Sequence, residues 1–139
     1  MSRFRASLYK SVRFPAYQHT FASGSLKELQ LFNNNIGDAG AKAIADAIGA
    51  SGSLAWLDIS YNNIGDEGAK ALAAGISASG SLATLWLSNN EIGAAGAKAI
   101  ADAIGASGSL ALKTLSVPSA IRNHAELVAA CKSKGVKLM

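Results

Sequence analysis

The chain has 139 residues, half of them hydrophobic, with a formal net charge of +4. That length makes one domain with a tail, and no apolar run approaches the roughly 20 residues needed to span a membrane. A single cysteine, Cys131, excludes an internal disulfide and fits a reducing, cytoplasmic setting.

The charge is concentrated at one end. Arg3, Arg5, Lys10 and Arg13 fall within residues 1–23 with no acid among them, while the remainder carries nine basic and nine acidic residues. Phe4, Leu8 and Val12 lie four apart, the spacing of a short basic amphipathic helix that stops before Pro15. Residues 1–23 therefore read in several ways: a cap that lays Phe14, Tyr17 and Phe21 over the first repeat, a mitochondrial or plastid transit peptide, a patch for acidic lipid or nucleic acid resting on four charges, or simple disorder.

From Gly24 a 28-residue unit runs three times, starting again at Gly52 and Gly80, with a broken copy from Gly108. Its first half reads Leu26-x-x-Leu29-x-Leu31-x-x-Asn34-x-Ile36. Leu29 and Leu31 are two apart, the period of a strand, and share a face. In its second half Ala41, Ile44, Ala45 and Ile48 recur at helical spacing with Lys42 and Asp46 on another face, and Gly49 is expected to end or kink the helix. Asp38 and Asp66 stand at helix starts, where a carboxylate opposes the dipole, and Ala94 gives that up. One such unit has too few large aliphatic residues to fold alone, so the copies must stack and turn each aliphatic position into a ladder. Asn34, Asn62 and Asn90 recur at one position while their neighbours vary. An amide that both donates and accepts can there bond the backbone of the turn and of the adjacent coil. Ile36–Leu54 and Ile92–Leu110 differ only at Asp38 against Ala94, which suggests duplication of a two-repeat block.

After Gly108 the pattern slips by two residues. A strand is expected over Leu112–Val117, a capping box at Asn123 and Glu126, and a helix burying Leu127, Val128 and Cys131. Gly135 closes that helix, and Val136 to Leu138 can add a last strand. Residues 24–107 thus form three regular repeats and 108–139 a degenerate capping repeat.

The pattern LxxLxLxxNxIG followed by a Gly- and Ala-rich helix resembles the ribonuclease-inhibitor-like class of leucine-rich repeats over residues 24–117. Ran GTPase-activating proteins and innate-immune receptor sensor domains share that repeat class. The resemblance implies an α/β fold, a short solenoid with a parallel sheet on the concave face and helices on the convex face. Spacing argues the same way, since strands stack about 4.8 Å apart and helices about 10 Å. Ribonuclease inhibitors are cysteine-rich and this chain is not, so the architecture carries over without the ribonuclease target.

No enzyme, metal or cofactor site is expected. GDAGAKA and GDEGAKA resemble phosphate loops only faintly, because each Lys follows Ala and Ser/Thr is missing. His19 and His124 stand alone, and Cys131 lies on an apolar helix face. Function is expected between the inward leucines, where the positions vary. Phe32, Trp56, Tyr61 and Trp86 should face out of the concave sheet as interface anchors, with Gln30 and Asp58 giving polar register; the alternative is that the aromatics pack on one another without a partner. The expected activity is binding of a partner protein or peptide across this face. The alternatives are regulation of a GTPase in the manner of the Ran activators, although the repeats are few and an acidic tail is missing, or pairing of two copies. Nucleic acid is not an expected partner.

Overall fold

The structure, a computed structural model, describes residues 26–139; the readings of segment 1–23 lie outside the described residues. Each repeat makes one short strand and one helix. The strands are β1 (Glu28–Gln30), β2 (Trp56–Asp58), β3 (Thr84–Trp86), β4 (Thr114–Ser116) and β5 (Lys137–Leu138). The helices are α1 (Gly37–Ala50), α2 (Asp66–Ala78), α3 (Ala94–Ala106) and α4 (Ala125–Lys134), with a 3-10 turn at Ser119–Ile121.

The strands form one parallel sheet in chain order. Leu29, Leu57, Leu85, Leu115 and Leu138 pair along one row. The step from Leu85 to Leu115 is two residues longer than the repeat, so the slip after Gly108 is absorbed before β4. The four helices pack side by side in a second layer. Leu26, Leu29, Leu31, Ile36, Ile44 and Ile48 of the first repeat are buried, as are their counterparts in the next two. Core and ladder are therefore one object.

The asparagines stitch it together. Asn62 Oδ1 accepts from Asn34 N at 2.7 Å and Ile36 N at 3.2 Å, while Asn62 Nδ2 donates to the carbonyls of Leu31 and Ser60. Asn90 Oδ1 takes Asn62 N and Ile64 N, each at 3.0 Å. Asn62 and Asn90 thus each satisfy two N–H groups of the coil before.

Five details depart from the sequence reading. Asp38 and Asp66 do not cap the helices they begin. Asp38 Oδ1 accepts from Gly65 N at 2.6 Å and Gly68 N at 3.1 Å, at the start of α2, and Asp66 Oδ1 treats Gly93 and Gly96 of α3 likewise. The carboxylate serves the neighbouring helix because stacking brings that helix's open N–H groups against it. Gly49 lies inside α1, which runs on to Ala50; a Cβ there would sit 3.3 Å from that of Ala78, so close helix packing accounts for the glycine. His124 caps α4, its Nδ1 accepting from Leu127 N, while Glu126 turns to Lys98 instead of back to Asn123. Val128 is 40% exposed, because one residue past Leu127 points about 100° away from the buried stripe. The last regular strand is shorter than expected, Thr114–Ser116. Gly135 does close α4, in the left-handed conformation at φ 71°.

Candidate functional site

With Leu29, Leu57, Leu85 and Leu115 facing the helices, strand alternation turns their neighbours to the helix-free face. Register sets these in two rows. One is Glu28, Trp56, Thr84 and Thr114; the other is Gln30, Asp58, Trp86 and Ser116. Trp56 and Trp86 are diagonal neighbours on adjacent strands, within aromatic reach. Their ring centroids are 5.1 Å apart with planes at 62°, an edge-to-face pair. Both rings are half-buried by this contact. The two tryptophans therefore do pack on one another, and do so on the outer face.

Beyond the strand ends the chain turns, and Phe32 and Tyr61 stand out at 53% and 57% exposure. Phe32, Asp58, Ser60, Tyr61, Trp86 and Ser88 line an open cavity of about 270 Å³. Asp58 was expected to be exposed; it is 8% exposed, because the flanking aromatics and Ser60 close over it. Its Oδ1 accepts from Ser60 N at 3.0 Å. Ser60 and Ser116 are likewise buried, and Ser88 and Ser116 hydrogen-bond through their hydroxyls. Gln30 is half-buried on the same face, outside the cavity lining.

Tyr61 is held at φ 59°, and Asn33 and Asn89, one period away on either side, adopt the same left-handed backbone. Asparagine tolerates that region and tyrosine rarely enters it. The middle repeat thus carries a strained aromatic where its neighbours carry the easy residue. The recurrence of Asn33 and Asn89 was a readable signal that position 61 needs a positive φ.

The other candidates resolve differently. Among the described residues no group of three or more His, Cys, Asp and Glu could hold a metal ion. Of the glycine turns that resemble phosphate loops, GDEGAKA has its Gly65 and Gly68 N–H groups taken by Asp38, and GDAGAKA has its Gly37 N–H taken by the Asn62 carbonyl. A Cβ on Gly68 would meet Asp38 Oδ1 at 2.7 Å, so the glycine leaves room for the carboxylate. Cys131 is buried, and desolvation pushes its thiol above the ordinary value. Sequence reading also missed the serines. Ser51 and Ser79 Oγ accept from the turns that follow them, and Ser53 and Ser81 donate to the Leu26 and Leu54 carbonyls of the coil before. Ser-Gly-Ser, which occurs four times at the period of the repeat, was the signal.

The leucine-rich repeat family profile matches residues 23–45, 56–73 and 81–101. Pattern, sheet and match agree, and the chain folds as a short leucine-rich-repeat solenoid. Among solved structures it is similar to leiomodin-1 actin-binding site 2, with a TM-score of 0.78 at 17% identity, covering 92% of this chain and 79% of that one. It is also similar to the tropomodulin C-terminal domain of Caenorhabditis elegans, with a TM-score of 0.57 at 13% identity, covering 88% and 93%. At these identities the likeness is one of fold. No curated protein matches the sequence. Among the described residues no helix is long and apolar enough to cross a membrane.

Proposed function

We propose that the chain is a protein-interaction module that docks a partner protein or peptide on the helix-free face of its sheet, working inside the cell and by binding alone. The observation that carries this reading is the cluster Phe32, Trp56, Tyr61 and Trp86 at an open cavity on a face whose other strand positions are polar. Large exposed aromatics cost solvation and, at Tyr61, backbone strain; such outliers gather where a surface has work to do. The likeness to leiomodin-1 actin-binding site 2 makes actin the first partner to test. The non-enzymatic reading is supported by His124, engaged as a helix cap, and by Cys131, buried with a raised thiol.

The test offers purified actin and cell lysate to immobilised wild type and to Trp56→Ala/Trp86→Ala, with circular dichroism confirming that the variant is folded. Recovery that falls at least about tenfold supports the reading, tenfold being roughly 1.4 kcal/mol and well within what two anchors supply. Unchanged recovery on the folded variant removes the aromatic face from the account.

A further inference from the structure

Resting on that reading, we propose that the cavity beside Trp86 receives an arginine side chain of the partner polypeptide. The inference starts from Asp58. Its carboxylate is 8% exposed, and a charge so far out of water is ordinarily met by an opposite charge. Among the described residues no lysine or arginine lines the cavity. The ion pairs among the described residues join Lys70 to Glu67 and Lys98 to Asp102 and Glu126, all on the helical side. Oδ1 is held by Ser60 N, and Oδ2 takes no hydrogen bond from a described residue. The cavity therefore holds a fixed carboxylate with one oxygen and its whole charge unanswered by any described residue.

The walls suit a cation. Phe32, Tyr61 and Trp86 contribute aromatic rings, and a ring face attracts positive charge, that of tryptophan most strongly. The ring of Trp86 is fixed by its edge-to-face contact with Trp56, so little order is lost on binding. At about 270 Å³ the space falls just below the roughly 300–1,000 Å³ of small-molecule pockets and suits one side chain. A guanidinium is the better fit of the two basic groups. It is flat, stacks on aromatic rings, is weakly hydrated, and spreads its N–H donors so that Oδ2 and the Ser60 hydroxyl can both accept. An ammonium keeps its charge at one strongly hydrated point and has no flat face to lay against the rings.

Both tryptophans of the chain lie on this face, so its intrinsic fluorescence reports the site directly. The probe is a mixed hexapeptide pool with arginine fixed at one central position, compared with pools carrying citrulline or lysine there. The full chain is titrated, as wild type and with Arg3, Arg5 and Arg13 changed to Gln so that its own guanidinium groups do not compete. The arginine pool is expected to shift the emission and to bind at least about tenfold more tightly than the neutral citrulline pool, as a desolvated cation–π contact with an added charge pair implies. Asp58→Asn keeps the acceptor for Ser60 N, removes the charge, and should abolish that preference. Equal binding of arginine and citrulline pools, equal binding of lysine and arginine pools, or no response in either form of the chain overturns the assignment. Partner recovery that survives Asp58→Asn but is lost in Trp56→Ala/Trp86→Ala also overturns it, while leaving the docking face in place.

Discussion

Replacing Asn62 by Ala should cost far more than replacing Asn34, although both asparagines are buried at the same place in successive repeats. Asn62 Oδ1 is the acceptor for Asn34 N and Ile36 N. Its Nδ2 donates to the carbonyls of Leu31 and Ser60, but those keep other donors, Asn34 Nδ2 and Asn33 N. Truncation at 62 therefore strands two N–H groups beside a side chain with no exposed surface. Each buried, unpaired donor costs about 1–3 kcal/mol, which places Asn62→Ala at about 2–6 kcal/mol. Asn34 is placed differently. Its Oδ1 is buried with no hydrogen-bond partner among the described residues, so truncation there removes only Nδ2 bonds to Leu31 O and Phe32 O. With Leu31 O still served by Asn62, the loss is about 1 kcal/mol. The atoms deleted are the same, so the difference isolates the reach of the amide oxygen into the neighbouring coil. Urea unfolding followed by circular dichroism should separate the two midpoints by about 1 M, given slopes of about 1–3 kcal/mol/M. Equal midpoints, or a greater loss at Asn34, would refute the ladder as described.

Gly68→Ala should destabilise by about 1–3 kcal/mol, since its Cβ would press on Ile64 and on the Asp38 carboxylate. Combined with Asp38→Ala, the loss should be less than additive by at least about 0.5 kcal/mol in a double-mutant cycle, and strict additivity would deny that Asp38 caps α2. Tyr61→Asn should stabilise the chain by about 1 kcal/mol in the same unfolding assay, by removing an aromatic from a left-handed backbone, and should weaken partner binding. A variant that is neither more stable nor a poorer binder contradicts the reading of Tyr61 as a strained functional residue. Cys131 should resist a disulfide-exchange reagent at pH 8 until the chain unfolds, because burial both blocks the thiol and holds it protonated. Rapid labelling of the native chain would place that thiol at the surface instead.

The legible parts of the molecule are those whose cause repeats at the unit's own period. Leu29, Leu57 and Leu85 stand at matching positions, and so do the three ladder asparagines, so register and ladder could be read without coordinates. The two-residue slip before β4 was readable because Leu115 regains a strand period there. What escaped depends on neighbours brought together by stacking. A carboxylate at a helix start looks the same whether it caps its own helix or the next, and only the packed array puts Asp38 against Gly65 and Gly68. Alternation placed Asp58 on the outer face correctly, but its burial comes from aromatics on adjacent coils, which periodicity does not weigh. The edge-to-face tryptophans are diagonal neighbours, a relation that register alone exposes. At α4 the rule that favours Asn as a cap gave way to His124, one residue later, because Glu126 found Lys98.

Amide hydrogen exchange of the chain, alone and saturated with its captured partner, puts the docking face to its most direct trial. Slowed exchange confined to peptides covering residues 28–33, 56–61 and 84–89, with α1–α3 unchanged, is the predicted pattern. Protection of the helices with those segments unaltered would contradict it, and would move the binding surface to the opposite side of the molecule.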